Sequence, residues 1–166
     1  MSKGLSIVNP SPPAYGAQVS RKSPKIASVI QSLQGRDFDA HYLGFFECFN
    51  RQQFFEAHEV LEEIWLPQRG KSKDSFYKGL IQLAGAFVHV QKQRQGPALS
   101  LLDLAEANLS KYPTVYEALD LITVRSLIQT WRQWLKTKPA DEWAIEPCAW
   151  PKIAPQDDVR CPLPAN

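Results

Sequence analysis

His58 and Glu62 stand four residues apart in Phe54-Phe55-Glu56-Ala57-His58-Glu59-Val60-Leu61-Glu62-Glu63-Ile64-Trp65, an otherwise apolar helical stripe. An imidazole and a carboxylate at i and i+4 share one helix face, where they can bond each other or jointly hold a third atom. At about 100° per residue, Phe54, Leu61 and Trp65 fall to one side of His58, with Ala57 and Ile64 further round the same way. Glu62 lies about 40° to the other side, within the apolar arc. Glu59 sits at the edge of that arc, and Glu56 and Glu63 point roughly opposite. An ionisable group inside an apolar arc needs a partner, because burying it alone is costly.

Three chemistries fit. His58-Glu59-x-x-Glu62 has the ligand spacing of the H-E-x-x-H zinc helix with a carboxylate in place of the second histidine. A divalent metal would take His58, Glu62 and a third ligand, for which His89 is the best placed, and Glu59 would be the base of a metal-dependent hydrolase if it turned inward. Without a metal, Glu62 would accept a hydrogen bond from His58 as a structural pair. The third reading is a pocket formed by His58, Glu59, Glu62, Trp65, Gln82 and His89 that takes a small molecule or a protein partner. The residues leave all three open.

Gln82 and His89 lie about 20° apart on the next helix, with Lys78 and Gln93 nearby and Gly79, Gly85 and Ala86 flanking them. They are either the wet face of that helix, or the small residues bring it so close to the motif helix that Gln82 and His89 meet His58 and Glu62. The second alternative predicts a single, partly buried cluster of these four residues between the two helices. Other motif matches fail. Gly70-Lys71-Ser72 would need a glycine where Trp65 stands to complete a phosphate-binding loop, and Asn108-Leu109-Ser110 is a glycosylation triplet inside a predicted helix. Trp65, Trp131 and Trp134 read as core.

The run Phe49-Asn50, Phe55-Glu56-Ala57-His58-Glu59-x-Leu61-Glu62-x-x-Trp65, then Gly79-Leu80-Ile81-Gln82-Leu83-Ala84 and His89, resembles a family of short all-helical prokaryotic proteins. That family is the three hundred and ninth in the series of domains of unknown function. The resemblance covers roughly residues 41 to 110. It implies a helical fold and places the family's recurring polar residues at His58, Glu59, Glu62, Gln82 and His89; it brings no activity.

The elements that must position these groups read as follows. A chain of 166 residues with 44% hydrophobic content supports one domain with a core. Prolines crowd both ends, so residues 1–25 read as a flexible arm, 26–137 as the helical domain and 138–166 as a Pro-rich tail, with Trp143 and Trp150 able to anchor that tail on the core. Six helices are expected: 26–34 ending at Gly35, 37–49, 52–66, one from Ser72 or Asp74 to about 93, one opened by Pro97, and a last one with Val124, Leu127, Ile128 and Trp131 on its stripe. A short helical turn is expected near 114–120. No alternating strand pattern appears, so the fold class is all-α, a compact antiparallel helical bundle of five to six helices with flexible Pro-rich termini. Shifting by 41 residues sets Phe46, Ala57 and Leu61 on Phe87, Ala98 and Leu102, a repeat-like echo that two amphipathic hairpins also produce.

Net charge is +2, too balanced for a strong nucleic-acid or membrane-surface partner, and the basic run Arg69, Lys71, Lys73 and Lys78 reads as a solvated loop. Three cysteines without a C-x-x-C argue against a disulfide framework, and no apolar run suits a signal peptide or a membrane span. The expectation is a soluble cytoplasmic protein. Its function is read as a helical binding or interaction module, with the metal-dependent hydrolase as the alternative.

Overall fold

The structure, a computed structural model, describes residues 24–139, 143, 145–146 and 149–156. Residues 1–23 and the last ten lie outside the described residues, and with them the expected flexible arm and the end of the tail. Six α-helices follow in order: α1 Pro24–Leu33, α2 Ala40–Asn50, α3 Phe54–Trp65, α4 Asp74–Gln91, α5 Gln95–Leu109 and α6 Leu121–Thr137. A 3-10 turn, Leu66–Gln68, continues α3. Each helix packs chiefly on its neighbours in sequence, α2 on α3, α3 on α4, α4 on α5 and α5 on α6, as short loops between antiparallel helices require. The all-α bundle is as the patterning predicts.

The ends of the helices follow from local chemistry. Asp39 caps α2 by accepting from the His41 N–H at 2.8 Å, and Asp120 caps α6 through the N–H groups of Ile122 and Thr123. Gly35 and Gly70 take positive φ in the loops after α1 and the 3-10 turn. The expected cap of α4 differs. Neither Ser72 nor Asp74 caps it: Asp74 is its first residue and its carboxylate turns to Trp65, while the Tyr112 hydroxyl accepts from the Phe76 N–H at 3.0 Å and donates to the Ser72 carbonyl at 2.8 Å. A phenol 36 residues away thus serves the end of the helix, which no local reading could supply.

The expected helical turn at 114–120 is a two-residue hairpin instead. β1 Val115–Tyr116 pairs antiparallel with β2 Leu119–Asp120, Val115 opposite Asp120 and Tyr116 opposite Leu119. Its turn residues Glu117 and Ala118 both have positive φ, the twist that a two-residue hairpin demands and an α-helix excludes. Tertiary contacts hold it there: the Tyr42 hydroxyl donates to the Glu117 carbonyl at 2.9 Å, and Lys73 pairs with the Glu117 carboxylate at 2.9 Å.

The core is aromatic. Phe45, Phe49, Phe54, Phe76 and Phe87 are fully buried, with ring centroids of Phe49, Phe54 and Phe87 5.5 Å apart or less. Cys48 is a free buried thiol whose burial pushes its pKa up to about 11, so it packs as a small apolar group. Core packing also continues past Thr137. Trp143 and Ile153 are buried in the same core, and Trp150 stacks on Trp131 with centroids 5.9 Å apart and planes at 22°. Asn50 clamps the segment from both sides, its amide donating to the Ile153 carbonyl and accepting from the Ile153 N–H, each at 2.8 Å. The described part of the tail is therefore a layer of the bundle, anchored by its tryptophans as their presence suggested.

Candidate functional site

On α3 the buried arc is made by Phe54, Ala57, Val60 and Leu61. Val60 also lies against α2, where an added Cβ on Gly44 would meet its Cγ1 at 3.1 Å. That sets the arc's centre on the Ala57 side, so His58 and Glu62 ride its shoulder, each with about a third of its side chain exposed: 34% and 33%. Their closest atoms, Nε2 and Oε1, are 3.9 Å apart, too far for a hydrogen bond. The His58 Nδ1 is buried and has no hydrogen-bond partner. The expected bonded pair is a loose, unbonded contact instead, and Glu62 is not inside the apolar arc. Glu59 is half-buried beside them.

Trp65, a turn further on, has a structural task. Its indole N–H donates to the Asp74 carboxylate at 2.7 Å, whose other oxygen accepts from the Gly70 N–H at 2.8 Å. The Arg69 guanidinium lies 5.3 Å from the centre of the ring. The Gly70 N–H and then the indole N–H hold the Asp74 carboxyl below the usual carboxylate value. Trp65 thereby closes the loop between α3 and α4.

The small residues of α4 are spent on α5. A Cβ on Gly79 would come within 2.8 Å of Leu109 and 3.3 Å of Asn108, and one on Gly85 within 3.2 Å of Leu101. Gln82 follows them: its amide oxygen accepts from the Asn108 amide at 2.8 Å, Asn108 in turn accepts from Lys111 at 2.8 Å, and Lys111 also donates to Ser75 at 3.1 Å. The expected close approach of this stripe to α3 is corrected on that point, because the glycines admit α5 side chains rather than the motif helix. His89 lies seven residues beyond Gln82, on the same stripe. Its Nδ1 is buried without a partner. Burial, followed by the nearby Arg94 and Lys92 cations, lowers its pKa from the ordinary imidazole value, which favours the neutral ring.

Among the described residues no three His, Cys, Asp or Glu side chains gather as a metal group would require. His58, Glu62 and His89 therefore do not form the expected three-ligand set. Asn108 is the polar residue that sequence reasoning missed. It is 9% exposed, the buried polar side chain of the described core. Its signal was available, since Asn108 follows Ala105 by three on the stripe Ala98, Leu102, Ala105, Leu109, but reading it as a glycosylation match hid it.

The segment holding His58, Glu59, Glu62, Trp65, Gln82 and His89 matches a known family. Residues 42–101 match the domain of unknown function DUF309. The DUF309 match runs from α2 through the first half of α5 and leaves out α1, the hairpin and α6. The chain is also similar to the uncharacterized protein YpuF of Bacillus subtilis (strain 168), 37% identical over 51 residues. Those residues are 31% of this chain and 29% of that relative, so the chain spans under a third of the relative it matches. No solved structure matches. Among the described residues no helix is long and apolar enough to cross a membrane.

Proposed function

We propose that the chain is a helical interaction module whose working surface is the outward face of α3. One observation carries this reading: Phe55 and Leu66 are 56% and 53% exposed at the two ends of a stripe that runs through Glu59 and Glu62. Positions 55, 59, 62 and 66 follow the spacing of one helix face, and His58, with its unpartnered Nδ1, borders it. Large exposed apolar side chains at helical spacing are how a helix docks in a partner's groove. α3 carries four glutamates and no lysine or arginine, so the partner fitting it has apolar pockets for Phe55 and Leu66 and a cation for Glu62. Nucleic acid does not suit this acidic face, and a cytoplasmic location belongs to the same reading.

The test compares affinity captures by the full chain and by its Phe55→Asp, Leu66→Asp and Glu62→Lys variants, with circular dichroism confirming the fold. A partner held by the parent and lost from all three supports the module. Identical captures, or a monomer that sediments without partners, count against it. The alternative hydrolase would need His58, Glu62 and His89 to gather on a divalent metal with Glu59 as base, a grouping absent among the described residues, and elemental analysis of protein purified without a histidine tag tests it directly. Substoichiometric metal and no gain in Tm on adding zinc, manganese or iron would weigh for the module.

A further inference from the structure

α6 and the segment that returns across it border an open surface cleft of about 320 Å³, lined by Thr130, Trp131, Trp134, Ile145, Glu146 and Ala149. A concave, mostly apolar surface beside two indoles, with a few polar groups at its edge, is the form small-molecule sites take. Its walls are preorganised. Trp131 lies edge-on to the buried Phe87, with centroids 4.9 Å apart, and stacks on Trp150; Trp134 is 5.4 Å from Trp131 and 5.6 Å from Trp143. On the facing side the Trp143 indole N–H donates to the Lys138 carbonyl at 3.1 Å, the Ala149 N–H to the Glu146 carbonyl at 2.9 Å, and Ile153 is clamped by Asn50. None of the six lining residues lies in the segment matched by DUF309, and the cleft is built on elements other than α3.

The chemistry of the lining selects the ligand. Two indoles, an isoleucine and an alanine offer flat apolar contact, and the Thr130 hydroxyl and Glu146 carboxylate are the polar groups. No lysine or arginine is among the described lining residues to balance Glu146. Water in such a cleft finds few partners and is readily displaced. An aromatic body against the indoles with an ammonium at Glu146 satisfies both parts, since indole faces and a carboxylate each attract a cation. We infer that this cleft is a binding site for a small organic cation with a flat aromatic body.

Tryptamine is a suitable probe, with indole-3-acetate as its anionic counterpart, titrated into the full chain while the indole N–H resonances are followed by NMR. Saturable shifts of the Trp131 and Trp134 signals are expected with tryptamine. Indole-3-acetate should bind roughly tenfold or more weakly. Glu146→Gln should weaken tryptamine roughly three- to tenfold and narrow the gap between the probes. Thr130→Phe fills the cleft from an exposed position without removing a core ring, and it should abolish the shifts while leaving Tm near that of the parent. No saturable shift, equal binding of the two probes, or binding that Glu146→Gln and Thr130→Phe leave unchanged would each overturn the inference. Loss of partner capture by the α3 variants tests the other surface and leaves this result standing.

Discussion

At His58 the separation from Glu62 decides what the pair is worth. With both side chains a third exposed and 3.9 Å between the nearest atoms, the interaction is a loose, solvent-screened contact. A double-mutant cycle on His58 and Glu62 should return a coupling of about 0–1 kcal/mol, well below the roughly 1–3 kcal/mol a buried hydrogen-bonded carboxylate would show. Coupling above about 2 kcal/mol would mean the two close into a buried bond in solution. His89 should behave differently. Its folded pKa is depressed by burial and by Arg94 and Lys92, so on acidification the unfolded chain takes up the proton first. Stability therefore falls as pH drops through the ordinary imidazole value toward the lower folded one, and it is unaffected by this group at higher pH. Thermal melts from about pH 7.5 to about pH 5.5 should show a loss of Tm that is smaller in His89→Gln. An equal loss in both proteins would remove His89 from the account.

At the scale of elements, the contact between α4 and α5 depends on absent side chains. Gly79→Ala puts a Cβ within 2.8 Å of Leu109 in a fully packed interface, and it should cost about 1–3 kcal/mol in chemical denaturation. A neutral effect would mean the two helices can separate freely. The hairpin before α6 offers the opposite experiment. Ala118 holds φ at 57°, a conformation costly for any residue with a Cβ, and the second position of such a turn favours glycine. Ala118→Gly should raise stability by about 0.5–1 kcal/mol. The hairpin was illegible in the sequence because Val115-Tyr116-Glu117-Ala118-Leu119-Asp120 lacks the Asn-Gly or Asp-Gly that marks such turns. Its shape comes from the Tyr42 and Lys73 contacts to Glu117.

For the molecule as a whole, the return of the chain across α6 completes the core. A chain ending at Thr137 would expose the faces covered by Trp143, Trp150 and Ile153, and burying each large apolar side chain contributes about 1.5–3 kcal/mol. The two buried ones, Trp143 and Ile153, alone imply a loss of roughly 3–6 kcal/mol on truncation there, which should broaden or abolish the cooperative melt. Retention of the parent Tm would show the segment to be dispensable. The helices, their order and the apolar faces were readable because period, caps and prolines are local: each depends on residues within a turn or two. Equally local is the shared face of His58 and Glu62, and of Gln82 and His89. Which faces meet is not local. Whether Gln82 turns to α3 or α5 depends on where Leu101, Asn108 and Leu109 lodge against Gly79 and Gly85, and whether Glu62 is buried depends on α2 drawing the α3 arc toward Val60. Such choices are settled by complementary shapes brought together from distant parts of the chain. A pattern of residue types along one helix carries no record of them.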